Sequence, residues 1–145
     1  RYDVNMLGFK YHGNSIMASI CLTQLKYLDM DNAYRRQLAA WYDELLAGAN
    51  VSRIPVAKGC ESSRHLYMIC ADNRDELILA LNRVEIFPGV HYRSNTDYAI
   101  YAYAAGTCPN ADAYSGKILS LPMHLRLTRA DIEEVSRNVR ELARN

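Results

Sequence analysis

Gly8-Phe9-Lys10-Tyr11-His12-Gly13-Asn14-Ser15 is a short polar run that opens straight into Ile16-Met17-Ala18-Ser19-Ile20-Cys21, and a helical pattern then continues to Asn50. Ile16, Ile20 and Tyr27, with Met17, Cys21, Leu25 and Leu28 on the adjoining stripe, recur at the three-to-four spacing that predicts a buried helical face. Asn14 or Ser15 suits the cap, because either side chain can accept a bond from an otherwise orphan backbone amide. Asp29-Met30-Asp31-Asn32 interrupts the pattern, which predicts two helices or one helix kinked near Asp31. Leu38, Trp41, Tyr42, Leu45 and Leu46 resume the inner face, with Arg35, Arg36, Asp43 and Glu44 on the wet side. The basic pair comes early and the acidic pair late, against the favourable dipole order, so packing is expected to set the helix ends.

Working outward, Ala49 to Glu61 reads as a connector holding at most one short strand, at Val56-Ala57 between Pro55 and Gly59. His65 to Ala71 is an uninterrupted apolar run that fits a covered strand. A helix beginning at Asp72 or Asn73 is expected to bury Leu77, Ile78, Ala80 and Leu81 and to leave Arg74, Asp75, Glu76, Asn82 and Arg83 outside. Ile86-Phe87-Pro88-Gly89 leads to a brief strand at Val90-His91-Tyr92, and Asn95 to Gly106 reads as a loop with an irregular helical turn. Pro109 or Asn110 starts another helix, with Ala113, Ile118 and Leu119 inward, followed by an extended Ser120-Leu121-Pro122-Met123. Thr128 and Asp131 have capping-box spacing ahead of Ile132, Val135, Val139 and Leu142, the inner face of a final helix.

The chain has 145 residues, half of them apolar, which is enough for one core. It starts at Arg1, so the expectation is a piece of a larger protein. Seventeen basic against 16 acidic residues give a net charge of +1, too little field to argue for nucleic acid or an anionic membrane. No apolar stretch approaches the roughly 20 residues that cross a bilayer. Cys21, Cys60, Cys70 and Cys108 lack metal-site spacing and read as four free thiols of a cytoplasmic protein.

His12, His65, His91 and His124 show no zinc-binding spacing, and no Gly-rich phosphate loop follows a strand. Ser62-Ser63 beside His65 reads as hydroxyls at a strand entry, since sequence adjacency says nothing about an oriented base. Two segments carry ligand chemistry. Lys10, with Tyr11, His12 and Asn14, stands just before a helix start whose free amides favour an anion, although an ordinary loop and cap would look the same. His91-Tyr92-Arg93 brings an imidazole, a phenol and a guanidinium just after Pro88-Gly89, where the chain can turn sharply. The alternative there is a pair of half-buried strand residues, and the tyrosines from 92 to 103 suit either stacking on a base or sugar or plain packing.

Gly8-Phe9-Lys10-Tyr11, Met17-Ala18-Ser19-Ile20, Gln24-Leu25, Arg35-Arg36 and Tyr42, taken in order, resemble the sugar aminotransferases of the DegT/DnrJ/EryC1/StrS family. Ser63, His65-Leu66-Tyr67, Arg74-Asp75-Glu76-Leu77, Gly89-Val90-His91-Tyr92, Leu119-Ser120-Leu121-Pro122-Met123-His124 and Leu127-Thr128 continue the resemblance through the C-terminal half of that family. The resemblance implies an α/β fold, the small C-terminal domain of the fold type I (aspartate aminotransferase) architecture, with a short, mostly antiparallel sheet packed by helices. Residues 1–13 would end the segment linking to a large domain, and residues 14–145 would form the small domain, beginning with long linker helices.

Family members use pyridoxal 5'-phosphate, and most move an amino group from glutamate to a keto sugar carried on a nucleotide, as homodimers. The implied partners are therefore glutamate, the nucleotide-linked keto sugar, and a large domain on the same or a separate chain. The resemblance places the Schiff-base lysine in that large domain, matched by none of Lys10, Lys26, Lys58 and Lys117, so this chain alone is expected to be inactive. It implies cofactor contacts at Lys10, which stands where many members have an Asn reaching the partner subunit's cofactor phosphate, and at Asn14. It implies substrate contacts at His12, His91 and Tyr92, with no catalytic residue in this chain. His12-Gly13 replaces the Arg-Met common in the family. Three other readings stay open: a dehydratase of the same family, a noncatalytic sugar-nucleotide-binding module, and a structural piece that would expose the Ile16 to Leu28 face.

Overall fold

The apolar run near residue 70 becomes the middle strand of a three-stranded antiparallel sheet in the computed structural model, which describes Tyr11 and residues 13–144. The strands are β1 (Ser52–Arg53), β2 (Tyr67–Cys70) and β3 (Ile118–Leu121), in the spatial order β1-β2-β3. Tyr67 stands opposite Leu121 and Ile69 opposite Leu119. These four side chains are all buried, because helices cover that face of the sheet.

The helices are α1 (Ser15–Leu25), α2 (Leu28–Leu45), α3 (Arg74–Arg83), α4 (Pro109–Ser115) and α5 (Arg129–Leu142), with 3-10 turns at Asn95–Asp97 and Ala99–Ala104. Leu38, Ala39, Tyr42 and Leu46 from α2 and its C-cap join Leu77 and Leu81 from α3 and Ile132, Val135 and Val139 from α5 in one core. Truncating any of the fully buried leucines to Ala would cost about 2–5 kcal/mol, the lost transfer term plus a cavity. Polar ties back the packing. Tyr34 donates to Leu127 O at 2.7 Å, and Arg129 places two guanidinium nitrogens on the Glu44 carboxylate at 3.0 and 3.1 Å. Arg129 also lies over the Trp41 ring, 5.6 Å from its centroid. The anticipated capping box opens α5: Thr128 Oγ1 accepts from Asp131 N, and Asp131 Oδ2 accepts from Thr128 N at 2.7 Å.

Several expectations need correction. The helix break falls at Lys26-Tyr27, not near Asp31, because Asp29 and Asp31 occupy the first turn of α2, where carboxylates complement the exposed amide end. The dipole is therefore served at that end after all. Ile16, Met17, Ile20, Leu25, Tyr27 and Leu28 are exposed, and α1 buries none of its residues. Its apolar side chains surround the axis instead of forming one stripe, and none of them joins the core. The connector strand is at Ser52–Arg53, ahead of Pro55, since only those residues pair with β2. Val90-His91-Tyr92 makes no strand; the pairing there is a single bridge between Gly89 and Ser120. Ala113 faces outward, since α4 lies on the surface without a buried residue. The Arg74 side chain is only 13% exposed, paired with Asp75 and donating to Ile118 O at 3.4 Å.

Candidate functional site

The segment from Gly89 to Asp97 leaves the sheet edge as an ordered loop, fastened at both ends. At its start Gly89 N donates to Ser120 O at 2.9 Å and Ser120 N donates to Gly89 O at 2.7 Å, which locks the backbone to β3. His91 then folds back, its Nδ1 3.0 Å from the Ser120 hydroxyl. A Cβ at Gly89 would sit 2.6 Å from His91 Cε1, so glycine is what lets the imidazole lie against the chain. Tyr92 is 76% exposed, its ring edge-on to His91 at 5.0 Å between centroids.

Asp112 on α4 holds the far end. Its Oδ1 accepts from Thr96 Oγ1 at 2.5 Å and from Ser94 Oγ at 2.7 Å, and Ser94 N donates to Ser115 Oγ at 3.0 Å. The Thr96 and Ser94 hydroxyls hold the Asp112 carboxyl below the usual carboxylate range. Arg93 is spent inside the loop, donating to Asp97 O at 2.7 Å and lying 5.0 Å over the Tyr98 ring. An open cleft of about 540 Å³ runs beside the loop, lined by Val90 and Ser115, the guanidiniums of Arg74 and Arg93 and the carboxylates of Asp75, Asp97 and Asp112. Three acids against two bases do not make a phosphate pocket.

Asn14 lies on a different element. Its Oδ1 accepts from Met17 N at 2.9 Å, so the expected cap forms, and its side-chain NH₂ remains to donate elsewhere. The structure brings His91 and Tyr92 together and shows no hydrogen bond between Asn14 and their loop among the described residues. Lys10 and His12 lie outside the described residues. Ser94, Thr96, Asp112 and Ser115 carry no signal in the sequence, and Ser120 shows there only as part of an extended motif, because small hydroxyls and an acid scattered over 27 positions have no telling spacing until the loop, α4 and β3 meet.

A cofactor carried as an imine needs a lysine that can become neutral. Lys117 pairs with Asp72 at 2.7 Å in a surface cleft of about 510 Å³, and that carboxylate pushes the ammonium pKa up, the wrong direction for imine formation. Lys117 therefore does not fit the role of the imine-forming lysine. Burial of Cys70 in the same cleft likewise pushes its thiol up, leaving it poorly nucleophilic. Among the described residues no group of His, Cys, Asp and Glu could hold a metal ion, and no helix is long and apolar enough to cross a membrane.

A family model, the DegT/DnrJ/EryC1/StrS aminotransferase family, matches residues 1–140. The chain belongs to this family. Solved structures agree with that placement. DesV of S. venezuelae, solved with a ketimine intermediate, is 31% identical over 88% of this chain and 36% of its own, with a TM-score of 0.81. A DegT DnrJ EryC1 StrS aminotransferase from Brucella abortus is 27% identical over 100% of this chain and 40% of its own, at 0.86. The sugar aminotransferase CalS13 from Micromonospora echinospora is 27% identical over 97% of this chain and 38% of its own, at 0.87. The chain thus spans about two fifths of the length of these DegT/DnrJ/EryC1/StrS relatives. The antiparallel sheet packed by helices is the fold type I aminotransferase architecture seen in them.

Proposed function

We propose that residues 14–145 are the small C-terminal domain, and residues 1–13 the end of the linking segment, of a pyridoxal-phosphate-dependent aminotransferase that moves an amino group from glutamate to a nucleotide-linked keto sugar. Family membership supports the reaction class, and the ketimine complex of DesV, the relative with 31% identity, is in keeping with it. The observation that carries this chain's part is the Gly89 to Asp97 loop, which holds His91 against β3, exposes Tyr92 and is anchored to α4 through Ser94. When bound, the cofactor supplies the electron sink that lets an amine change carbon. This chain's residues supply one wall: His91 and Tyr92 orient the sugar nucleotide through hydrogen bonds. Lys10 is assigned to the cofactor phosphate across the dimer, Asn14 to the cap of α1 and to the cofactor, and His12 to the sugar nucleotide. The exposed apolar surface of α1, which a structural piece pairing with a separate catalytic chain would also show, fits a helix covered in a larger, dimeric assembly.

The test is a pair of half-reactions in the full-length enzyme, followed by rapid mixing. His91→Ala and Tyr92→Phe are expected to slow the step with keto sugar and to leave amination of the cofactor by glutamate nearly intact. Equal loss in both steps would overturn the assignment to sugar positioning. The 145-residue chain alone, given pyridoxal phosphate, glutamate and keto sugar, is expected to produce no amino sugar; turnover by it would overturn the domain reading.

A further inference from the structure

We propose that Ser120 is a positioning residue that sets the tautomer of His91, leaving Nε2–H as the donor toward an oxygen of the sugar nucleotide. This inference rests on the assignment of His91 to substrate contact. Ser120 is 4% exposed on β3, and its backbone N–H and C=O are both spent on Gly89. A hydroxyl so buried needs an acceptor for its hydrogen, and His91 Nδ1 at 3.0 Å is the one the described residues offer. If the imidazole donated instead, the serine hydrogen would have no acceptor among the described residues. Ser120 therefore donates, Nδ1 accepts, and the ring proton resides on Nε2.

Gly89 completes the device from the other side. Its missing Cβ is the space in which the Nδ1–Cε1 edge of the imidazole lies, with Cε1 2.6 Å and Nδ1 3.3 Å from where that carbon would be. The ring is clamped between a hydroxyl that fixes its proton and a backbone that fixes its pose. Nε2, which has no partner among the described residues, is then an oriented donor suited to a hydroxyl, carbonyl or phosphate oxygen. The loop's second anchor, Asp112, keeps that donor from swinging with the rest of the segment.

The experiment uses the full-length enzyme loaded with pyridoxal phosphate, with UDP- and dTDP-linked 4-keto-6-deoxyglucose as probes. Ser120→Ala removes the hydroxyl without touching the backbone bridge, and Gly89→Ala pushes the ring away. Each is expected to raise KM for the keto sugar roughly five- to twentyfold, the worth of one oriented hydrogen bond, while the glutamate half-reaction keeps its rate. Adding Ser120→Ala to His91→Ala is expected to change nothing further, because the serine acts through the ring. A readout independent of turnover is deuterium exchange at the histidine Cε1 hydrogens, expected to change at His91 in Ser120→Ala and to stay constant at His65 and His124. A sugar step that suffers in His91→Ala but is normal in Ser120→Ala would overturn the positioning role and leave the contact role standing. No effect of His91→Ala in either half-reaction would overturn both. Unchanged exchange at His91 in Ser120→Ala would overturn the proposed hydrogen bond directly.

Discussion

The rings of Tyr42 and Tyr67 are stacked, 4.6 Å between centroids and 26° from parallel, and join the long helix α2 to the central strand β2. Each hydroxyl leaves the stack in a different direction. Tyr42 donates to Pro122 O at 2.9 Å, and Tyr67 donates to Asp43 Oδ1 at 2.7 Å, where Arg53 also pairs at 2.9 Å. Burial, chiefly, pushes both phenols up, so both remain donors throughout the physiological range.

The two tyrosines should therefore respond unequally to loss of the hydroxyl. Tyr42→Phe strands a carbonyl and is expected to cost about 1–3 kcal/mol, whereas Tyr67→Phe leaves Asp43 with its arginine and is expected to cost about 0.5–1.5 kcal/mol. Denaturant titration of the full-length protein with both variants checks the order. Equal values would mean that Pro122 finds another donor.

The thiols report on what covers α1. Cys21 is exposed on that helix in this chain, as are Cys60 and Cys108 elsewhere, while Cys70 is buried. In the native full-length protein, alkylation is expected at Cys60 and Cys108 and to be slow at Cys21, with Cys70 reacting only on unfolding. Mass spectrometry of tryptic peptides distinguishes the sites. Fast labelling of Cys21 would leave the apolar residues around it without a covering domain or subunit.

Asp112 should make the loop acid-sensitive. Its folded carboxyl lies below the usual range because Thr96 and Ser94 donate to the ionised form. Its contribution is thus complete above the ordinary Asp value, about 4, and is lost as pH falls through the lower folded value. Asp112→Asn is expected to loosen the loop at neutral pH, seen as faster amide exchange from residues 91 to 97, and to flatten the acid dependence of that exchange as pH falls below about 4. An unchanged exchange profile would show that the hydroxyl bonds do not hold the loop.

Lys10 is tested by cofactor retention. If it meets the phosphate across a dimer, Lys10→Ala should weaken pyridoxal phosphate binding to the apoenzyme roughly tenfold, whereas an exposed lysine would change it little. A fluorescence titration of apoenzyme decides, and unchanged affinity would return Lys10 to an ordinary loop.

Local periodicity and capping chemistry were legible without coordinates. Leu38, Tyr42 and Leu46, the Asn14 cap, the apolar strand around Ile69 and the Thr128 box all depend on neighbours within a turn or on steady burial, and each formed as read. The ordered motifs from Gly8 to Thr128 likewise placed the chain in its family. The tertiary structure alone decided which apolar faces find a partner. The apolar spacing from Ile16 to Leu28 suggests an inner face, yet α1 stays exposed because spacing records a capacity for burial and not the surface that supplies it. The same holds for the site: His91 was visible as a polar group after a turn, but Ser120 and Asp112 gained meaning only when β3 and α4 folded back against the loop. Contacts across 29 and 18 residues depend on where strands pair and helices dock, and no local preference of a serine or an aspartate encodes that.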